Sequence, residues 1–280
     1  MTLVQRLQHF DRRIIFIFVA LGTMIPIIWP FGFSISVTDP VRQVFQRVDK
    51  MTPGSVLLLS FDFDPAAAPE LAPMAKAVMR HCAAKDIKIV GLSYLLTGGA
   101  EMAESIMSEL GRELNLVYGV DYVNLGFKSG APAPMILLAN DLHGVFPLDN
   151  RGTNLKDLPL MQKIHSYDDI DFIVELASTI LGDYWINVVN ARFGEEMAIG
   201  TTAVSAPKYY AFLDSGQLIG LMGGLKGAAE YEQLINYPGT ASRGMDAQRI
   251  VHLMIIVFVI MGNIIYFIEK KQKRMGLLDA

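Results

Sequence analysis

The chain has 280 residues, of which 52% are hydrophobic and 19% are charged, and its formal net charge is −4. This composition is typical of a membrane protein, and the slightly acidic total leaves no basic surface that would indicate nucleic-acid binding. A single cysteine, Cys82, excludes an internal disulfide framework and a cysteine-rich zinc site.

Two long segments without Asp, Glu, Lys or Arg lie near the ends of the chain, at Ile14–Ile35 and Ile250–Ile268. Each has close to the roughly 20 residues that cross about 30 Å of hydrocarbon. The first segment could instead be a cleaved signal peptide, but its apolar region exceeds the roughly 7 to 15 residues of a signal core, which favours an uncleaved anchor. The sequence therefore predicts two transmembrane helices, at 14–35 and 250–268, that enclose an α/β domain at 36–249.

The short tails at residues 1–13 and 269–280 are predicted to lie in the cytoplasm. Lys and Arg in short tails are retained on the cytoplasmic side, whereas long domains cross the membrane largely regardless of charge. The main domain is then extracytoplasmic. The basic residues of the two tails are Arg6, Arg12, Arg13, Lys270, Lys271, Lys273 and Arg274.

The first part of the domain alternates between helical and strand patterns. Pro40–Lys50 has an amphipathic helical spacing, which suits either the membrane surface or packing on the domain itself. Ser55–Asp64 and Ile87–Leu96 are apolar runs typical of buried parallel strands. Pro69–Asp86 and Gly98–Leu114 have helical periodicity, so the order predicts a right-handed βαβ unit.

The middle of the chain, Val117–Met161, is irregular apart from an apolar helix near Pro134–Leu142, and long loops of this kind suit binding or assembly. The regular pattern resumes with a strand at Asp169–Ser178 and a helix at Gly182–Gly194. Two further strands are predicted in "EEMAIGTTAV" and "KYYAFLD". The alternation predicts a Rossmann-like α/β fold, a mostly parallel sheet with helices on both faces, whose ligands bind beyond the carboxyl ends of the strands.

The stretch Ser215–Leu234, "SGQLIGLMGGLKGAAEYEQL", is rich in glycine. It is not a Walker phosphate loop, because Leu225 precedes Lys226 and Gly227 follows it. Helical spacing instead predicts a glycine face that another backbone approaches closely, either within the domain or on a neighbouring subunit. The glycines of this predicted interface are Gly216, Gly220, Gly223, Gly224 and Gly227. A short linker, Asn236–Arg249, is predicted to follow.

Asp62 and Asp64 end the first predicted strand, where they could share a divalent cation. "SFDFD" and the later "IVGLS", which ends at Ser93, resemble the first two motifs of haloacid-dehalogenase-type phosphotransferases. The resemblance implies Asp62 as nucleophile and Asp64 as acid/base. However, Pro65-Ala66-Ala67-Ala68 replaces the usual Gly-Thr turn, and the acidic pair "SYDD" precedes a strand. We therefore favour carboxylates that cap the next helix or line a polar crevice.

The turn Thr97-Gly98-Gly99 could bind an anion at a helix N-terminus, although a plain helix cap is the simpler interpretation. The five histidines show no metal-binding spacing, so we predict no zinc site, and no serine lies in a G-x-S-x-G elbow. In the second predicted span, His252 and Asn263 share one helical face. Polar groups at membrane depth normally face protein, which predicts a helix partner.

"YGVDYVNLGFKSG", the glycine-rich stretch and "GMDAQRIVHLMI" are similar to a group of uncharacterised prokaryotic two-span membrane proteins with a Rossmann-like domain. That resemblance implies a prokaryotic cell membrane and no particular activity. Our first hypothesis is a non-catalytic structural subunit, without a cofactor, that assembles with its own copies or with another integral membrane protein. The alternative is a tethered ligand sensor or metal-dependent phosphotransferase that uses Asp62, Asp64, Ser93 and the Thr97-Gly98-Gly99 turn.

Overall fold

The computed structural model describes residues 12–274, without the side chains of Arg12, Glu269 and Lys273. Within this range, residues 34–242 form one compact unit, and residues 12–33 with 243–274 form another. The larger unit is the α/β domain.

Six parallel strands form the sheet of this domain. In chain order they are β1 (Val56–Asp62), β2 (Lys88–Ser93), β3 (Tyr122–Phe127), β4 (Phe172–Ala177), β5 (Met197–Thr201) and β6 (Gly220–Gly223). Their spatial order is β3-β2-β1-β4-β5-β6, and β1 pairs with both β2 and β4. This is the Rossmann order, and the point between β1 and β4 where it reverses is the usual ligand crevice of such folds. The predicted α/β fold with a parallel sheet is confirmed.

Helices cover both faces of the sheet. The α-helices of the described residues are α1 (Arg12–Ile28), α2 (Asp39–Asp49), α3 (Ala68–Ala84), α4 (Gly99–Glu113), α5 (Ala133–Leu138), α6 (Leu142–Val145), α7 (Leu181–Tyr184), α8 (Ala191–Phe193), α9 (Ala206–Asp214), α10 (Gly224–Leu234) and α11 (Thr240–Arg274). A π-helical turn, Trp185–Asn190, joins α7 to α8. Helices α2, α3, α4 and α10 pack on one face, and α5 to α9 lie with the irregular segments on the other.

The central strands form because their residues are apolar on both faces. Every residue of β1 is buried, and Leu57, Leu58 and Leu59 have no exposed area. Each such leucine contributes roughly 1.5–3 kcal/mol through removal from water, which compensates for ordering a strand that lies between two layers. The apolar runs that predicted β1, β2, β4 and β5 therefore correspond to strands.

Strand β3 is absent from the sequence prediction, because it lies in the stretch interpreted as irregular. Its sequence, "YVNLGF", contains Asn124 and Gly126, which have low strand propensity. Asn124 is nevertheless fully buried, and its amide donates a hydrogen bond to Glu104 of α4 at 3.0 Å. A tertiary contact therefore offsets the poor propensity.

The prediction of a strand at "KYYAFLD" is wrong, since these residues belong to α9. Its aromatic residues have high strand propensity, but Ala206 and Tyr209 are buried at helical spacing while Tyr210 is exposed. Pro207 lies in the first turn, where a helix tolerates proline.

The single glycine-faced helix predicted for Ser215–Leu234 is also wrong. Gly216 lies in a turn with φ +78°, Gly220–Gly223 is the edge strand β6, and α10 begins only at Gly224. Gly224 has φ +61°, a left-handed conformation that lets the chain turn directly from strand into helix. The same spacing of small residues is compatible with one face of a helix and with a strand followed by a turn. The sequence pattern alone therefore does not distinguish the two structures.

Close packing at these glycines takes place within the domain. A Cβ atom on Gly220 would lie 2.5 Å from the carbonyl oxygen of Pro40, and one on Gly227 would lie 2.9 Å from the backbone of Met222. Gly223 and Gly224 similarly lie against Ala206 and Ala203, whereas Gly216 has no such neighbour within 4 Å. The intrachain alternative therefore accounts for four of the five glycines.

In the smaller unit, one helix among the described residues is long and apolar enough to cross a membrane, Thr240–Gln272 within α11. The predicted linker Asn236–Arg249 is thus helical from Thr240 onwards. Helix α1 has 17 residues and ends at Ile28, where Pro30 follows and Gly32 takes φ +66°. A helix of that length extends only about 25 Å, so a first span at 14–35 is not shown.

Replacing Gly220 with alanine is expected to destabilise the domain by about 2 kcal/mol, because the added methyl group would overlap the Pro40 carbonyl and the Val44 side chain. Urea unfolding of the full chain in mild detergent measures this loss. Gly262→Ala is the control, since no atom lies within 4 Å of a Cβ at that helical position. Equal unfolding midpoints for Gly220→Ala and the native chain would contradict the close approach of α2 to β6.

Candidate functional site

The carboxyl edge of the sheet, where β2, β1, β4 and β5 end side by side, contains the features that sequence and fold both single out. Asp62 is the last residue of β1, and Ser93 is the last residue of β2. Glu175 lies near the end of β4, directly across from Ser60 in the register with β1. The residues that face the switch point are therefore mostly polar, although the strands that carry them are apolar.

Asp62 is fully buried and its carboxylate accepts four hydrogen bonds. Oδ1 accepts the Tyr94 amide at 2.6 Å and the Ser93 hydroxyl at 3.2 Å. Oδ2 accepts the Ser60 hydroxyl at 2.8 Å and the Trp185 indole Nε1 at 3.0 Å. This one side chain thereby connects β1, the end of β2 and the π-helical turn.

Asp64 lies beyond the strand and does not share the partners of Asp62. Its Oδ1 accepts the backbone amides of Ala66 and Ala67, each at 3.0 Å. These amides precede α3 and are the kind of donor that a phosphate would use at a helix N-terminus. An intrachain carboxylate occupies these amides in the turn before α3, whose N-cap Ala67 has no side-chain cap hydrogen bond, and this disfavours phosphate binding there.

Ser93 and the Thr97-Gly98-Gly99 turn are likewise engaged in local structure. The Ser93 hydroxyl shares its one proton between Asp62 and the carbonyl oxygen of Phe61, which lies at 2.8 Å. Gly98 has φ +94° and precedes α4, while a Cβ on Gly99 would lie 2.5 Å from that same Phe61 carbonyl. The first turn of α4 thus packs onto the backbone of β1, and Thr97 is exposed beside it.

Glu175 is the carboxyl group that the sequence analysis overlooked. It has no exposed area, and neither carboxyl oxygen accepts a hydrogen bond from a donor within the described part of the chain. Burial and the neighbouring Asp62 raise the pKa of Glu175 well above its usual range. Burial also raises the pKa of Asp62, but its hydrogen bonds from Trp185, Tyr94 and Ser60 oppose that change.

The two carboxyl groups therefore differ in protonation. Four donors stabilise a negative charge on Asp62, whereas Glu175 has none, so Glu175 is the carboxyl group that retains a proton. The strand "DFIVELAS" carried one detectable signal, namely a glutamate among residues otherwise suited to a strand buried on both faces.

Aromatic side chains cover this pair. The Tyr94 and Trp185 rings lie 5.8 Å apart, and Tyr167 packs edge-on to Trp185 at 6.5 Å. Tyr167 donates its hydroxyl to the carbonyl of Met135, but the buried Tyr94 hydroxyl has no hydrogen-bond partner among the described residues. Trp185 begins the π-helical turn, a feature often found at functional sites.

Above the polar interior, the loops that leave the strands present apolar side chains to solvent. Leu96 after β2 is 74% exposed, Ile180 after β4 is 59% exposed, and Val204 after β5 is 91% exposed. Pro65 and Ala66 are exposed on the loop after β1. Because β2, β1, β4 and β5 are neighbours about 4.8 Å apart, these tips form a row roughly 15 Å long.

A separate polar cavity of about 600 Å³ lies in the irregular segment predicted to serve binding or assembly. The His143 and His165 rings meet there at 5.2 Å, and His143 Nε2 lies 3.0 and 2.9 Å from the carbonyl oxygens of Met161 and Ile164. The remaining side chains that line it come from Asp141, Pro147, Asn154, Lys156 and Gln162.

Residues 12–274 contain no group of three or more His, Cys, Asp or Glu side chains placed to hold a metal ion. In α11, His252 is exposed, and the Asn263 amide donates to the Val259 carbonyl of its own helix at 2.9 Å. The interface prediction for these two residues stays a prediction.

No protein-family model, curated protein or solved structure matches the chain.

Asp62→Asn is expected to destabilise the protein by about 2 kcal/mol. An amide presents one oxygen and one NH₂ group, so either the Trp185 indole or the Tyr94 amide faces a donor and loses its acceptor. Urea unfolding measures the change. Asp64→Asn is the matched control, because the asparagine carbonyl oxygen can accept the same two backbone amides, so its cost should stay within about 0.5 kcal/mol. Equal effects of the two changes would contradict the central position of Asp62.

Proposed function

We propose that this protein is a membrane-anchored, non-catalytic α/β subunit whose carboxyl-edge loops dock another protein in a membrane complex. The observation that carries the proposal is the row of exposed apolar tips at Leu96, Ile180 and Val204. Exposed apolar groups that cluster on one surface mark interaction sites, whereas single ones are ordinary.

The residues considered for phosphoryl chemistry have structural roles. Asp62 already accepts four hydrogen bonds, Asp64 occupies two amides, and Ser93 donates to a backbone carbonyl. A nucleophile and an acid/base must instead be within reach of a substrate. The intrachain hydrogen bonds of these residues therefore support a docking function over phosphotransferase activity.

The charge around the row favours a different protein over a second copy of the chain. Asp64 follows β1, Glu101 lies in the first turn of α4, and Glu70 accepts the amide of Ala203 next to Val204, while Lys208 is neutralised by Asp183 at 2.8 Å. Two copies that met through this edge would bring acidic rims together, which is unfavourable. The partner that fits has an apolar centre surrounded by Lys or Arg.

The membrane arrangement is part of the proposal. Helix α11 contains a segment long and apolar enough to span a bilayer. We propose that the apolar segment 14–35 supplies a second span, that both tails are cytoplasmic and that the domain is extracytoplasmic in a prokaryotic cell membrane. The basic residues of the two short tails support this orientation.

Leu96→Asp combined with Val204→Asp is expected to abolish docking, because two charged groups would have to be buried in the centre of the interface. The measurement is the native mass of the complex extracted in mild detergent from the protein's own membrane. The double variant should have the mass of the 30.9 kDa chain without its partner.

The matched control is Val117→Asp combined with Val120→Asp. These valines are 56% and 41% exposed and precede β3, so they lie at the opposite edge of the sheet. The control should retain the native mass. A complex that persists in the Leu96/Val204 variant, or that is lost equally in both variants, would refute docking at the carboxyl edge.

The orientation can be tested with introduced cysteines, because the native Cys82 is fully buried and burial raises the pKa of its thiol. In intact cells, a membrane-impermeant maleimide should label Ser129→Cys, which is exposed on the domain. It should label Ala280→Cys only after lysis, and the native chain not at all. The reverse pattern would place the domain in the cytoplasm.

A further inference from the structure

The buried environment of Glu175 has the features of a small binding site, which the docking function does not use. Two observations indicate this independently of the number of acidic groups present. The Glu175 carboxyl has no donor, and the hydroxyl of Tyr94, a residue 95% removed from solvent, has no partner within the described residues. Unsatisfied buried polar groups are rare and mark the position of something that hydrogen-bonds to them.

The groups that surround Glu175 come from several elements. Asp62 and Ser60 lie beside it on β1, and Tyr94 follows β2. Tyr209 of α9 and Tyr167 of the 3₁₀ turn Tyr167–Asp169 complete the titratable neighbours. We call Glu175, Tyr94, Trp185 and Tyr209 the Glu175 chamber. It contains oxygen acceptors and aromatic faces, and the Lys208 ammonium that lies 4.7 Å from the Tyr209 ring centre is paired with Asp183.

Of the two buried carboxyl groups, only Glu175 is available to balance the charge of a bound cation. The Asp62 carboxylate is stabilised by its four donors, so its lone pairs are in use. Glu175 alone can lose its proton to make room for a positive group. A divalent metal requires several free oxygen ligands with more negative charge, which the chamber does not supply.

We infer that the Glu175 chamber binds a small ammonium-type cation, which hydrogen-bonds to Glu175 and to the Tyr94 hydroxyl. An ammonium group offers several N–H donors to these acceptors, and the rings of Tyr94 and Trp185 are the faces that attract such cations. Complete burial of Glu175 limits the ligand to the size of ammonium or methylammonium.

Binding of the cation displaces the proton of Glu175, so one positive charge replaces another. In the empty chamber Glu175 is protonated, and when the cation enters, that proton leaves to solvent, so the total charge of the chamber stays the same. Since the proton and the cation compete for the same carboxyl group, the affinity should rise with pH. The ligand-free domain should itself lose stability as pH rises, because a glutamate whose folded-state pKa is raised favours folding only while it is protonated.

The test is thermal unfolding of the full chain in mild detergent, with ammonium chloride or methylammonium chloride compared with sodium and potassium chloride at equal ionic strength. The expected result is a midpoint increase of several degrees with the ammonium salts alone, larger at pH 8 than at pH 6. Titration in a weak buffer should release about one proton for each ammonium bound.

Glu175→Gln should fold, because it has the shape and the neutrality of a protonated glutamate, and it should lose both the midpoint increase and the proton release. Tyr94→Phe keeps the ring and should weaken binding about tenfold, which is the loss of one hydrogen bond of about 1.4 kcal/mol. Glu195→Gln is the control, since burial also raises the pKa of Glu195, to about 7, yet that residue lies outside the chamber.

Three outcomes would overturn the inference. These are equal midpoints in ammonium and potassium salts, an unchanged ammonium effect in Glu175→Gln, and proton release that Glu195→Gln removes. None of them bears on docking at Leu96 and Val204, which is measured by native mass, so the two proposals fail separately.

Discussion

The carboxylate of Asp62 holds together the part of the fold on which the rest depends. In a doubly wound sheet, the two halves separate at the switch point and leave a crevice between their loops. Here a single buried charge accepts donors from β1, from the chain after β2 and from the π-helical turn after α7. The protein's own side chains therefore occupy the crevice. Hydrogen bonds to Asp62 position the Tyr94 backbone and the Trp185 ring there.

The carboxyl edge consequently has an inner and an outer layer with opposite character. The inner layer is polar and buried, and Ser60, Trp185 and the Tyr94 amide donate to Asp62 within it. The outer layer consists of short loops with small or apolar residues, from which Leu96, Ile180 and Val204 project. Asp64 separates the two layers by occupying the amides at the start of α3. A phosphate-binding protein of this fold would leave such amides free.

The sequence alone predicted the helices and strands whose residues follow one strong pattern. The apolar runs at β1 and β2 and the helical repeats at α3 and α4 allow only one assignment each. Two kinds of information were missing. One is the left-handed turn at Gly224, which separates β6 from α10 and has no counterpart in a helical periodicity. The other is strand order, since only the adjacency of β2, β1, β4 and β5 brings Leu96, Ile180 and Val204 into one row and places Glu175 beside Asp62.

The smaller unit has a consequence for how the chain is made. Asp246 accepts the backbone amides of Phe31 and Gly32 at 3.0 and 2.9 Å, across 215 and 214 residues of sequence. During synthesis, the segment after α1 must wait until the whole α/β domain has been translated before its partner exists. The domain can therefore complete its own sheet first, since β6 is already present, and the long-range closure comes last. The smaller unit thus forms only after the α/β domain inserted in its sequence has been made.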